Sequence, residues 1–286
     1  MTQINASIVL YHNNKEQLLK AIKSFLGTSL VVRLYLVDNS SNDNLRELID
    51  LDDRIEYIFN NANLGYGSAH NIAIKKSIEN GVPYHLVLNP DIYFESGVLE
   101  KLYEYMECNS DVGQLMPKVL YPDGELQYLC KLLPTPTDLI FRRFIPFKKL
   151  RKIHDYHFEL HYTNYDKAMN VPFLSGCFMF FRVSALQHIG LFDERFFMYG
   201  EDIDITRRMH RVYKTMFIPD VQIVHAHARE SYKNIKMLKI HIVNIIKYFN
   251  KWGWFFDKER KDVNDRIQQE LRNNIIQPPR TSPCSG

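Results

Sequence analysis

The sequence predicts an α/β fold: a mostly parallel central sheet flanked by helices, with a helical C-terminal extension. Two observations carry that expectation. Up to about residue 91, short apolar runs alternate with stretches of helical periodicity. Such alternation builds a parallel sheet covered on both faces. Each of the first four apolar runs also closes on Asn or Asp, which sets polar groups along one edge of the sheet. In such sheets, ligands bind beyond the carboxyl ends of the strands.

The first strand is residues 6–11, a buried apolar run broken by His12-Asn13-Asn14. Leu18, Leu19, Ile22, Phe25 and Leu26 then recur at helical steps. A second strand, 33–37, ends at Asp38-Asn39-Ser40-Ser41, and Leu45, Leu48 and Ile49 mark another helix. A third strand, 55–59, ends in Asn60-Asn61-Ala62-Asn63 and leads to a helix over 67–79. The fourth, 84–88, ends at Asn89-Pro90-Asp91. The rhythm changes after about residue 115. Residues 171–182 resume strand character around Ser175-Gly176, and 192–211 read as a loop entering a helix. Residues 216–218 and 221–224 read as two short strands, followed by His225-Ala226-His227. Helix is expected from 232 to about 275, then a frayed Pro/Ser-rich tail over 277–286. The expected organisation is a catalytic domain over 1–231, with a donor-binding half to about 115 and an acceptor half over 116–231. The helical extension follows over 232–276.

A chain of 286 residues, 45% hydrophobic, has room for a substantial core. A net charge of +3 without a basic arm excludes an electrostatic reason to expect nucleic acid. Cys108, Cys130, Cys177 and Cys284 are scattered, which fits a reducing compartment better than a disulfide framework or zinc site. The first ten residues read as a strand, not a signal peptide. The longest apolar stretch, 171–186, is too short and broken to span a bilayer. A cytoplasmic location is therefore expected.

Asp91, at a strand end, can hold a hard divalent cation against phosphate oxygens; the same Asn89-Pro90-Asp91 also suits a plain turn. Asp38 can accept from a ribose hydroxyl or base N–H, or simply cap the next helix. In Asn63-Leu64-Gly65-Tyr66-Gly67, the glycines allow close backbone approach to a ligand or shape a turn. Glu201, Asp202 and Asp204 at a helix start raise one another's pKa, which suits a general base; they also complement the helix dipole. His225 or His227, with Arg229 nearby, can complete a metal site or hold a leaving diphosphate, or be ordinary packed residues. Residues 141–154 and 248–256 mix aromatic and basic side chains. They suit an interfacial anchor, a contact between two copies, or packing.

The order of these motifs resembles the family 2 glycosyltransferases of GT-A fold, nearest the rhamnosyltransferase-like branch of O-antigen and capsule assembly. The resemblance runs from Ser7 to Ser231, through Val37-Asp38-Asn39-Ser40, Asn63-Leu64-Gly65-Tyr66-Gly67, Leu88-Asn89-Pro90-Asp91, Ser175-Gly176-Cys177-Phe178-Met179 and Phe197-Met198-Tyr199-Gly200-Glu201-Asp202-Ile203-Asp204. It implies that Leu10, Tyr11, Asp38, Asn63, Gly65, Asn89 and Asp91 bind the donor, and that Asp91 and His225 hold Mg²⁺ or Mn²⁺, with His227 as the rival ligand. Asn89 stands where the family's DxD motif has its first Asp. Ser175, Gly176 and Glu201 would meet the acceptor, and Asp202 would be the general base. The implied reaction is an inverting transfer from a nucleotide-diphosphate sugar, dTDP-rhamnose first and a UDP-sugar second. The implied acceptor is a polyprenyl-diphosphate-linked saccharide, reached at the inner face of the cytoplasmic membrane. The competing expectations are a nucleotidyltransferase and a degenerate scaffold of a polysaccharide-assembly complex. Tyr11-His12-Asn13-Asn14 argues against the first, and intact Asp38, Asp91 and Asp202 against the second.

Overall fold

The computed structural model describes residues 1–139, 148–226 and 235–276. Its first part follows the expected alternation: β1 (Ile4–Leu10), α1 (Lys15–Leu26), β2 (Val32–Asp38), β3 (Ile55–Phe59), α2 (Tyr66–Glu79) and β4 (Tyr84–Leu88). Asn14 caps α1, its side chain accepting from the Gln17 N–H. Helix α1 turns Leu18, Ala21, Ile22 and Phe25 into the core. The helix expected between β2 and β3 is instead a short 3-10 turn, Arg46–Leu51, with only Leu48 buried. Asp50, Asp52 and Asp53 crowd its end, where the helix dipole disfavours negative charge.

The chain continues through β5 (Ile92–Tyr93), α3 (Val98–Cys108), β6 (Val112–Leu120), β7 (Cys130–Lys131), α4 (Pro136–Leu139) and α5 (Lys148–Phe158). Then come β8 (Met169–Asn170), β9 (Phe173–Leu174), β10 (Phe178–Arg182), α6 (Val183–Ile189), α7 (Glu201–His210) and β11 (Lys214–His225). The two strands expected over 216–224 are one, β11. It runs parallel to β6, with its register shifted between Ile218 and Gln222. Pro219, which has no N–H to give, falls in that bulge.

The main sheet has nine strands in the order β3-β2-β1-β4-β10-β6-β11-β5, with β8 added beside β11. Strands β1 to β4 pair in parallel, and β10 enters antiparallel between β4 and β6. The sheet is therefore mixed, and its direction changes beside β4, where Asn89-Pro90-Asp91 begins. Every residue of β4 is buried, as are Phe178, Phe180 and Phe181 of β10. Truncating any one of these phenylalanines to Ala costs roughly 3–5 kcal/mol.

The expected helical extension is two helices, α8 (Ile235–Trp252) and α9 (Lys258–Ile276), separated at Gly253 with φ +99°. Ile245, Tyr248 and Phe249 of α8 pack on Phe173, Phe196 and Ile203. Polar bonds tie the same region to α7. The Trp252 indole N–H donates to Asp204 at 2.8 Å, and Arg207 clasps Asp257 through bonds of 2.8 and 2.9 Å. The Arg207–Asp257 pair is almost fully buried; removing one partner of such a pair costs about 3–5 kcal/mol. Helix α7 is thus held by the extension through Ile203, Asp204 and Arg207.

Candidate functional site

Three strand ends and two helix starts meet at the carboxyl edge of the sheet. The Asn89 N–H donates to the Cys177 carbonyl at 2.9 Å, so the segment after β4 lies against the start of β10. His225 pairs with Ile92, and the Ala226 N–H donates to the Asp91 carbonyl at 2.9 Å, which brings the end of β11 to the other side of Asp91. Tyr66 opens α2 between these ends. Its hydroxyl donates to the Gly176 carbonyl at 2.6 Å and lies 3.0 Å from Asn89 Oδ1. The Gly176 N–H donates in turn to Asp202 Oδ2 at 3.1 Å. A Cβ on residue 176 would stand 3.0 Å from that of Asp202, so the glycine permits the approach. Burial raises the Tyr66 pKa well above its usual value, and the charges of Glu201, Asp202 and Asp91 push it further up.

Asp91 Oδ1 and His225 Nε2 face each other at 3.2 Å. Gln127 decides what lies between them. Its amide nitrogen donates to the carbonyls of Leu120 and His225, at 3.2 and 2.8 Å, so its oxygen is left to accept from His225 Nδ1 at 3.1 Å. With Nδ1 bearing the proton, Nε2 of a neutral imidazole turns a lone pair toward a carboxylate. Two acceptors at that distance call for a cation between them, either a proton or a metal ion. Burial lowers the His225 pKa, but the neighbouring Cys177 and the Asp91 carboxylate outweigh it and push the value up to about 10. Ligands at adjacent positions of an octahedral ion with bonds of about 2.1 Å stand about 3 Å apart. The separation and the N/O donor set therefore fit a divalent cation. Among the described residues no cluster of three His, Cys, Asp or Glu side chains surrounds such an ion. Two protein ligands suit Mg²⁺ or Mn²⁺, which take phosphate oxygens and water for the rest.

Glu201 and Asp202 begin α7, presented by Tyr199 and Gly200 with φ values of +70° and +94°. The left-handed Tyr199 is local strain at the site's edge. Glu201, expected to contact the acceptor, is instead 5% exposed. Burial and the adjacent Asp202 charge raise its pKa to about 8. Burial raises Asp202 as well, opposed by the Gly176 and Ile203 N–H groups and by the Lys131 charge. Asp202 is only partly buried. The two carboxyls compete for one proton; backbone N–H groups reach both, but only Asp202 also has the Lys131 charge beside it, which favours the negative charge there. Near neutral pH that charge sits on Asp202, and Glu201 holds the proton. Ser175 and Gly176 are partly exposed beside them.

The donor-side candidates share one edge. Leu10 is fully buried, and its carbonyl accepts from Asn39 N–H at 2.9 Å. Tyr11, next along, is half exposed. Asp38 lies buried at the end of β2, accepting from Ser40 N–H at 2.7 Å and from the Tyr57 hydroxyl at 2.5 Å. Asn39 links Asn60, Asn63 and the Gly65 carbonyl. Gly65 has φ +87°, and a Cβ there would lie 2.3 Å from the Phe197 carbonyl oxygen. The Tyr66 N–H donates to that same oxygen at 2.8 Å. Gly65 therefore lets the segment before α7 dock on the donor side. His227, Arg229 and Ser231, like residues 141–147, lie outside the described residues. Sequence reasoning gave no role to Gln127, Lys131 or the Tyr66 hydroxyl. Tyr66 had a signal in its Gly-Tyr-Gly setting, and Gln127 had none.

A mixed α/β sheet whose carboxyl edge gathers a carboxylate–imidazole pair and a further carboxylate on a helix start fits a glycosyltransferase of GT-A fold. The sequence profile of glycosyl transferase family 2 matches residues 7–190, and the chain belongs to that family. The matched span contains Asp38, Asp91 and Gly176 and stops before Asp202 and His225. Among curated proteins, the chain is 26% identical over 220 residues to an N-acetylglucosaminyl-diphospho-decaprenol L-rhamnosyltransferase of Mycobacterium tuberculosis. That match covers 72% of this chain and 70% of that one. It is 22% identical to the rhamnosyltransferase WbbL of Escherichia coli, over 84% of this chain and 90% of the relative. Among solved structures it resembles GalNAc-T7 with UDP, GalNAc and Mn²⁺, at TM-score 0.63 and 12% identity, covering 96% of this chain and 57% of the other. It also resembles Staphylococcus aureus TarS, at TM-score 0.56 and 13% identity, covering 98% of this chain and 44% of the other. Both structures share the fold.

Proposed function

We propose that the chain is an inverting, metal-dependent transferase that moves a sugar from a nucleoside-diphosphate donor to a lipid-linked saccharide. The observation that carries this reading is the chain of hydrogen bonds Asn89–Tyr66–Gly176–Asp202, which links the segment that carries Asp91, paired with His225, to the Asp202 carboxylate. Asp202 takes the proton of the acceptor hydroxyl as that oxygen attacks the anomeric carbon. The bond from that carbon to the diphosphate breaks with its electrons leaving on phosphate oxygen, and the configuration inverts. Glu201, already protonated, spares Asp202 the proton it would otherwise hold, so Asp202 stays available as the base. Asp91 and His225 would hold Mg²⁺ or Mn²⁺, which neutralises charge on the departing diphosphate. Ser175 and the Gly176 edge border the acceptor, while Tyr11, Asp38, Asn63, Gly65 and Asn89 line the nucleotide side.

The rhamnosyltransferase relatives favour dTDP-rhamnose as donor over a UDP-sugar, and a polyprenyl-diphosphate saccharide as acceptor. Residues 1–231 form the catalytic unit, braced by the extension. Such an acceptor places the enzyme at the inner face of the cytoplasmic membrane. Among the described residues no helix is long and apolar enough to cross a bilayer. Phe255 and Phe256, 75% and 100% exposed in the turn between α8 and α9, supply an interfacial contact. A thermal-shift screen of UDP, dTDP and GDP, with and without Mn²⁺, tests the donor site. A ligand bound only by the folded form raises the melting temperature. A Mn²⁺-dependent rise with dTDP or UDP is expected, and no rise with any nucleotide at millimolar concentration refutes the reading.

A further inference from the structure

Helix α5 and the turn between α8 and α9 lie far apart in sequence, yet α4 and the residues before it tie both together. The His154 ring of α5 pairs with Asp138 of α4. Leu139 of α4 packs against the same buried cluster as Trp252 and Trp254, that of Phe196, Ile245 and Phe249. Arg260 donates both to the Pro134 carbonyl, just before α4, and to the Trp254 carbonyl in the turn. Both elements also touch the surroundings of Asp202. The Lys131 ammonium, whose charge acts on Asp202, lies 5.9 Å from the centre of the Phe158 ring at the end of α5. Asn244 of α8 accepts from the Phe197 N–H at 3.0 Å, and His241 meets the Tyr199 ring at 5.1 Å, in the segment that presents Glu201 and Asp202.

The two elements offer solvent the same chemistry. Helix α5 carries Lys148, Lys149, Arg151 and Lys152, with Asp155 as its one acidic residue. Asp155 is only partly exposed beside His154, whereas Arg151, Lys152, Ile153 and Tyr156 are exposed. Neither Arg151 nor Lys152 has an ion-pair partner among the described residues. In the turn, Phe255 and Phe256 stand in solvent side by side. From Ile235 to Phe256 the chain has Lys236, Lys239, Lys247 and Lys251 and no acidic residue. Lys258, exposed at the start of α9, adds a further cation. A plain solvated face needs no exposed phenylalanine pair, and a packing face needs no row of cations. Cations set beside exposed aromatic and aliphatic side chains match a surface that is anionic outside and apolar just beneath.

We propose that α5 and the α8–α9 turn together form a docking face for a bilayer surface rich in anionic lipid. Arg151 and Lys152 meet the head groups, and Phe255 and Phe256 enter the boundary of the acyl chains. Charge supplies the attraction and the aromatic pair holds the chain in place, so neither element suffices alone. Such a face serves the lipid-linked acceptor proposed above, and the assignment rests on that reading.

Sedimentation of the full chain with vesicles tests this, using phosphatidylcholine alone or mixed with phosphatidylglycerol, and carrying neither donor nor acceptor. Partition should be at least tenfold stronger onto the phosphatidylglycerol vesicles, and should weaken as salt is raised. Each basic residue at an anionic surface strengthens partition about fivefold. Arg151→Glu combined with Lys152→Glu should therefore weaken it at least tenfold. Phe255→Ser combined with Phe256→Ser should do the same, with the melting temperature unchanged because both side chains are exposed. Asp202→Asn should partition as the parent does, so vesicle binding and sugar transfer can fail independently. Equal partition onto both kinds of vesicle overturns the proposal. So does partition that survives either double substitution, or no partition at all. Binding to soluble polyglutamate as tight as to the anionic vesicles would mark an acidic protein as the partner and overturn it too.

Discussion

Replacing Glu201 by Gln tests the claim that the carboxyl pair holds a single proton. Glu201 has a pKa of about 8 in the folded chain, against an ordinary 4.5. The folded state therefore keeps a proton that the unfolded chain releases once the pH passes 4.5. Stability from this group is fully present below that value, falls as pH rises, and levels off above about 8. At about 1.4 kcal/mol per pH unit, the loss across that window reaches at most about 5 kcal/mol. Gln keeps the shape and has no proton to lose. The stability of Glu201→Gln relative to the parent should grow by about 3–5 kcal/mol between pH 5 and pH 8, then stay constant. Urea denaturation at unit steps from pH 5 to 9 reads this directly. Activity gives a second view. Above pH 8 the parent gains a second negative charge beside Asp202, which repels a diphosphate donor, so kcat/KM should fall with an inflection near 8 that the variant lacks. A stability difference that is flat from pH 5 to 8 refutes the shared-proton account.

Three further outcomes follow from the same geometry. Gln127→Leu frees the His225 ring, and should weaken Mn²⁺-dependent nucleotide binding about 10- to 100-fold by calorimetry while leaving metal-free binding alone. Gly65→Ala forces a side chain into a glycine-only conformation against the Phe197 carbonyl. It should cost about 2–4 kcal/mol of stability, and a loss under about 0.5 kcal/mol would deny the docking role. Tyr66→Phe removes the hydroxyl joining Asn89 to Gly176; steady-state kinetics should show kcat about tenfold lower, with nucleotide affinity little changed.

The left half of the sheet was legible because buried parallel strands are short continuous apolar runs, and helices such as α1 repeat every three or four residues. The polar residues after β1 to β4 marked the carboxyl edge of the sheet for the same reason, since the runs stop where the sheet stops. Residues 46–51 carry a helical pattern, but the acidic residues at their end hold them to one short turn. Strand β11 read as two because Pro219 and Asp220 interrupt it, and a bulge joins what the pattern separates. The site was legible in its carboxylates and not in their supports. Gln127 acts on His225 from 98 residues away in sequence, and Tyr66 on Gly176 from 110. No local spacing encodes such contacts. Glu201 follows Gly200 directly and precedes Asp202 in sequence, and only the packing of α7 shows it to be buried.

In the function proposed above, Asp202 drives an inverting transfer at a metal-dependent site. The most direct test incubates the full chain with Mn²⁺, dTDP-rhamnose or a UDP-sugar, and a polyprenyl-diphosphate-linked N-acetylhexosamine, and determines the anomeric configuration of the product. The account predicts a glycoside of inverted configuration. It also predicts that Asp202→Asn loses about 10²- to 10⁴-fold in turnover while still binding the nucleotide. A product of retained configuration, or full turnover in Asp202→Asn, would contradict it.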